Sequence, residues 1–305
     1  MRAGRYSRRV DSGAVVRAPF AAMQWRLLLL WVFLLWLPTA IVSLPFWLAL
    51  SSTIDHSIHV GEWASRFSAT MFGDALSTMG GSTWFRGTAL LGTLLTLFMM
   101  PFLNGMAIGA GRAGRRLGVT HLLQCGVVEY GRMFRMMLWS ILPYAVSVAL
   151  IGVLLGLVGN IKDDAVLQSQ ADSAAHMVWI VVVVLFVLAH AIVESGRAAF
   201  IADPNLRSAT RAFGRGFMQL LRRPISTLLS YAVISLIGYA AALALGVARV
   251  NTPAIGAAGL VLAILLTQLV VLAIGWAHVA RLFALAEVGR SLVPQRSGGG
   301  LPPAI

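Results

Sequence analysis

Residues 177–199, MVWIVVVVLFVLAHAIVESGRAA, decide the fold. Thirteen apolar residues run without a break from Met177 to Ala189, and the window as a whole is long enough for the ~20 residues a helix needs to cross a hydrocarbon core. An unpaired backbone amide in hydrocarbon costs several kcal/mol, so a run of this length must satisfy its amides internally, as a helix does. Short alternating segments, the mark of a membrane β-barrel, are missing from the sequence. Five more windows repeat the pattern at 27–50, 88–110, 136–159, 225–248 and 255–285. Composition agrees, with 58% hydrophobic residues, 11% charged residues and a mean hydropathy of +0.82, against roughly 25% charged in soluble domains. The expected architecture is all-α: a polytopic bundle of six transmembrane helices over residues 27–285. A basic tail covers 1–26 and a second tail 286–305.

Arginine placement sets the orientation. Of 24 basic residues, 20 fall in the N-terminal tail, in the second and fourth connectors and at the C-terminal end. Only Arg66, Arg86, Lys162 and Arg249 lie in the other connectors, whose acids are Asp55, Glu62, Asp74, Asp163, Asp164 and Asp172. Basic residues beside short spans stay on the cytoplasmic side. Both termini are therefore expected in the cytoplasm of a bacterial cell, with the protein in the inner membrane. The first apolar run follows a long basic tail and exceeds the 7–15 residues of a signal h-region, so it reads as a retained anchor. A net charge of +13 placed at span ends points to anionic lipid, and a membrane-protein partner is compatible with it. A nucleic-acid binder would put its charge on a soluble surface beside aromatics.

The two long basic connectors read as amphipathic interfacial helices. In the first, Val119, Leu122, Leu123, Val127, Tyr130, Met133 and Phe134 share a face at 100° per residue, with Arg132 and Arg135 opposite. In the second, Asp203 is the expected N-cap and Pro204 the first helical residue. Leu206, Ala209, Phe213, Phe217 and Leu220 then form one face, and Arg207, Arg211, Arg215 and Arg222 the stripe opposite. Together with Arg112, Arg115, Arg116 and Arg223 these arginines are the candidate lipid-headgroup contacts. A topology determinant, or an arginine-rich genome, accounts for the same charges. Arg132-Met-Phe-Arg135, Arg222-Arg223-Pro224 and Gln24-Trp25-Arg26 each precede a span, so the chain reads as three helical hairpins, each introduced by a basic segment.

Ionisable groups inside spans are costly and face bundle interiors. At 1.5 Å per residue, Asn104, Glu194 and His278 lie about 24, 26 and 35 Å into their spans, all near the cytoplasmic edge. His190, Glu194 and Arg197 fall on one helical face, and Arg281 shares the level of His278; Gln268 is deeper. This set of seven is a candidate intramembrane polar cluster. Two readings stand side by side: an ion pair of Glu194 with Arg197 that knits helix ends, and a polar path of a small-solute transporter or permease near Glu194, His190, His278 and Gln268. Gly105-x-x-x-Gly109 and Gly152-x-x-x-Gly156 permit close helix approach, expected inside the bundle.

Other chemistry finds little support. Gly109-Ala-Gly111-Arg-Ala-Gly114 matches a dinucleotide-binding glycine pattern but leaves a membrane span rather than a strand, so no nucleotide cofactor is expected. Lys162 is the lone lysine and no phosphate-binding loop surrounds it. Asp55, His59 and Glu62 sit at i, i+4 and i+7 as a weak candidate metal set. Cys125 has no partner for a disulfide or metal spacing. With no nucleophile elbow or paired carboxylates, the chain is expected to be non-enzymatic. The stretch Asp203-Pro-Asn-Leu-Arg-Ser-Ala-Thr-Arg-Ala-Phe213, running into Leu221-Arg-Arg-Pro224, resembles uncharacterised bacterial six-span integral membrane families. It also looks like the membrane domain attached to some glycerophosphodiester phosphodiesterases. That resemblance implies a six-helix membrane fold; the phosphodiesterase activity does not carry over, because the soluble hydrolase domain is not in this chain.

Overall fold

The computed structural model describes residues 9–54, 58, 68–80, 83–163, 168–253 and 255–293. Among them lie nine helices: α1 (Ser12–Ala21), α2 (Trp25–Ile54), α3 (Ala69–Gly80), α4 (Thr83–Ala113), α5 (Val119–Asp163), α6 (Gln168–Ala202), α7 (Ala209–Arg222), α8 (Pro224–Val250) and α9 (Gly256–Arg290). Six of them, α2, α4, α5, α6, α8 and α9, are long and apolar enough to cross a bilayer. The chain is an all-α polytopic membrane protein. Helices pair as α2 with α4, α5 with α6 and α8 with α9, and the pairs interlock where α4 packs on α5 and α9 on α6.

Burial is concentrated at the arginine-rich end. Leu103 to Ile108 on α4, Met133 and Met136 on α5, Val193 to Ile201 on α6 and Val279 to Val288 on α9 form one core with Leu27 and Trp31 of α2. At the opposite end Leu48, Leu90, Val153, Ile180, Leu243 and Leu262 are all exposed. Lipid tails are as apolar as leucine, so nothing drives those halves to close on one another. The packing that orders the bundle lies at the basic end.

Each hairpin is introduced by a helical segment, as the repeat suggests, but in three different ways. The expected N-terminal tail contains α1, capped by Asp11, whose Oδ1 accepts the Ala14 amide at 3.0 Å. Trp276 of α9 clamps it by donating its indole N–H to the Pro19 carbonyl at 3.0 Å. The amphipathic segment at 119–135 is not a separate interfacial helix; it runs unbroken into the third span as the 45-residue α5. Hydropathy changes between Arg135 and Met136, but neither proline nor glycine interrupts the backbone there. Of the two basic connectors, only the second carries a separate helix, α7, divided from α8 by Arg223 alone, with Pro224 opening α8. Helix α7 begins later than the sequence predicts, at Ala209 with Ser208 as N-cap. Leu206 is drawn into the core, which takes 204–207 off a helical path. Asp203 instead closes a turn by accepting the Asn205 amide at 3.0 Å and pairs with Arg215 at 2.7 Å.

Small residues set the tightest crossings. A Cβ on Gly109 would lie 2.4 Å from Cys125, and one on Gly105 would lie 3.0 Å from the Gly126 carbonyl, so the first glycine pair serves the α4–α5 contact inside the bundle. Gly152 and Gly156 meet nothing within 4 Å and contribute no such contact. The closest approach of backbone to backbone is between α6 and α7, where a Cβ on Gly216 would lie 2.4 Å from the Gly196 amide and 2.6 Å from the Ile192 carbonyl. Backbone opposes backbone there, so no side-chain rotation relieves a larger residue. Gly216→Val is expected to lower stability in detergent by about 1–3 kcal/mol, while Gly152→Leu leaves it unchanged. Equal thermal unfolding midpoints for the two variants would refute this packing.

Candidate functional site: a buried ionic hub

Glu194 is fully buried on α6 and both its oxygens are occupied. Arg281 of α9 donates Nε to Oε2 at 2.7 Å and Nη2 to Oε1 at 2.9 Å, a bidentate pair between two spans. His190 Nε2 lies 3.1 Å and His278 Nδ1 3.0 Å from the same Oε1. The network continues outward. His278 Nε2 is 2.7 Å from Asn104 Oδ1, whose amide donates to the Met100 carbonyl at 2.8 Å. Tyr144 Oη lies 2.6 Å from His190 Nδ1, and Arg281 Nη1 reaches Ser235 Oγ at 3.3 Å. Both ring nitrogens of each histidine are therefore spent within the protein.

Aromatic rings close the periphery. Trp31 packs on His278 with centroids 5.4 Å apart, Phe186 stacks on His190 at 5.9 Å, and the Arg281 guanidinium lies 5.4 Å from the centre of Tyr231. Counting residues back from the basic-end terminus of each helix, Asn104, Glu194, His278 and Arg281 lie about 12–18 Å in. Charges at that depth persist because each is paired and hydrogen-bonded.

Five of the seven residues singled out as a polar cluster, Asn104, His190, Glu194, His278 and Arg281, thus form one network. Arg197 stands outside it. The carboxylate leans back toward His190 and takes Arg281 of another helix, so the expected Glu194–Arg197 pair does not form. Gln268 is half-buried about 15 Å further along α9 than His278 and takes no part in the hydrogen bonds described. Tyr144, Ser235 and Tyr231 were not foreseen; hydroxyls scattered through apolar runs carry no distinguishing pattern.

A second buried acid lies nearer the basic end. Glu129 of α5 accepts Arg112 Nη1 at 2.5 Å and Arg132 Nη1 at 2.8 Å, and Arg112 also donates Nε to the Phe200 carbonyl at 2.8 Å. Arg112, grouped with the headgroup arginines by sequence, is thereby committed to tying α4 to α5 and α6. Arg115, Arg116, Arg207, Arg211 and Arg222 are exposed, Arg215 is paired with Asp203, and Arg223 is half-buried. The candidate metal set at Asp55, His59 and Glu62 lies outside the described residues.

No protein-family model, curated protein or solved structure matches the chain.

Removing one partner of a buried ion pair strands the other charge, so Glu194→Ala and Arg281→Ala should each cost about 3–5 kcal/mol. The double variant should cost clearly less than their sum, with a coupling of about 0.5–3 kcal/mol. Unfolding in mixed micelles titrated with dodecyl sulfate measures all four corners of this cycle, and strict additivity would contradict the pairing.

Proposed function

We propose that the protein is a non-enzymatic component of the bacterial inner membrane, both termini cytoplasmic, that gathers anionic lipid, and a membrane partner beside it, at its basic face. The observation that supports this is a division among its charges. Glu194, Glu129, Arg281 and Arg112 are turned inward and hydrogen-bonded to neighbouring helices. Arg115, Arg116, Arg207, Arg211 and Arg222 are exposed at the same end of the bundle, and their guanidinium groups have no protein partner among the described residues.

Free guanidinium groups at the ends of spans suit phosphodiester headgroups, which they engage through paired N–H donors. The acids that would neutralise them are already spent: Glu129 on Arg112 and Arg132, Asp203 on Arg215, Glu287 on Arg290. The positive face is thus left to an external counter-ion. The hub fits a holding role in this reading, since Glu194 is sealed on every side and its oxygens are saturated.

Lipid retained around the protein in polymer-bounded nanodiscs tests the proposal. Phosphatidylglycerol is expected to be enriched over phosphatidylethanolamine relative to the bulk membrane. Arg115→Gln/Arg116→Gln/Arg211→Gln/Arg222→Gln should remove most of that enrichment, whereas Glu194→Gln should leave the lipids of the folded protein unchanged. Retained lipid of bulk composition in the unaltered protein would refute the proposal.

A further inference from the structure

We infer that the cleft between α5 and the start of α7 is a binding site for a single anionic glycerophospholipid, headgroup inward toward two arginines and one acyl chain along α5. This inference rests on the lipid reading above and sharpens it from a charged face to a defined site. A cavity of about 770 Å³ opens there, with Arg135 on one wall and Arg207 on the other. Arg135 fixes its stem by donating Nε to the Gly131 carbonyl at 3.0 Å, which leaves its terminal nitrogens for a ligand. Arg207 has no hydrogen-bonding partner among the described residues. No acid lines the cavity, and Asp203, the acid of the same link, is held by Arg215 at 2.7 Å.

The rest of the lining supplies the other half of a phospholipid. Leu138, Ile141, Leu142 and Ala145 descend α5 from Arg135, so the polar mouth passes directly into an apolar wall. Leu142 also borders a second cleft of about 380 Å³ between α5 and α6, lined further along by Val146, Leu150, Leu185 and Leu188. Trp139 stands at the mouth, stacked on Phe213 of α7 with centroids 5.5 Å apart. Its indole N–H has no partner among the described residues, and an amphipathic ring at this level suits the glycerol and ester region. Ala209 and Thr210, in the first turn of α7, border the same mouth, where the positive end of the helix dipole adds to the potential of the arginines. A soluble anion would use the mouth alone; the apolar lane beneath it argues for a lipid.

Native mass spectrometry of the delipidated full chain in detergent tests this, titrating in phosphatidylglycerol or phosphatidylcholine. One phosphatidylglycerol should bind saturably, at a concentration at least roughly tenfold lower than phosphatidylcholine. Arg135→Gln/Arg207→Gln should abolish that preference, and Ala145→Trp, which fills the apolar lane, should weaken both lipids. Thermal midpoints equal to the unaltered protein certify that these variants fold. Arg211→Gln/Arg222→Gln, outside the cleft, should leave the single site intact while lowering the lipid enrichment in nanodiscs. If that variant loses the saturable site while Arg135→Gln/Arg207→Gln keeps it, lipid recognition stands and the cleft is the wrong place. If glycerol phosphate displaces the lipid at equal concentration, the site is one for free anions and the inference fails. If no saturable phosphatidylglycerol binds, the inference fails irrespective of the enrichment.

Discussion

A carboxylate in the low-dielectric interior of a membrane protein must have both oxygens satisfied, and meeting that demand for Glu194 organises the bundle. Asn104 from α4, Tyr144 from α5, His190 from α6, Ser235 from α8 and the His278–Arg281 pair from α9 all belong to its network. The remaining span, α2, presses Trp31 against His278. Every span therefore meets the hub. Because apolar surfaces gain nothing from each other in lipid, directional contacts of this kind are what distinguish one arrangement of six helices from its competitors.

Close backbone approach makes that convergence possible. Hydrogen bonds between side chains of different spans require helix axes near one another, and glycine is placed at the crossings that bring them in: Gly105 and Gly109 against α5, Gly238 against Ala277 of α9, Gly196 against Gly216. These contacts lie at the basic end, with the hub. Beyond it the helices present leucine, valine and isoleucine outward, where contact with lipid is as favourable as contact with protein.

The six spans were legible because a bilayer demands length and hydrophobicity, and 177–199 states both without ambiguity. Depth counting placed Asn104, Glu194 and His278 near one level, which made a cluster foreseeable. Its pairing was not. Helical side chains lean toward the N-terminus of their helix, so Glu194 reaches His190 one turn back rather than Arg197 one turn on, and its cation had to come from another helix. Spacing along one chain segment does not contain that information. The same holds for Gly196 and Gly216, each unremarkable on its own helix until the two are laid across one another. The boundary between 119–135 and 136–159 misled in the opposite direction, since hydropathy marks where lipid begins and not where a helix stops.

At 1.5 Å per residue the unbroken α5 is about 68 Å long, well over the thickness of a hydrocarbon core. It is a lever. Its fourth and fifth turns carry Arg132 and Arg135, its middle carries Tyr144 of the hub, and no joint intervenes before Pro143, which leaves the Trp139 carbonyl without its usual amide. In an unbroken helix of this length, a lateral load on the segment before Arg135 acts as a torque about that point. The proline is where such a load turns into bending, one residue from the tyrosine that touches His190.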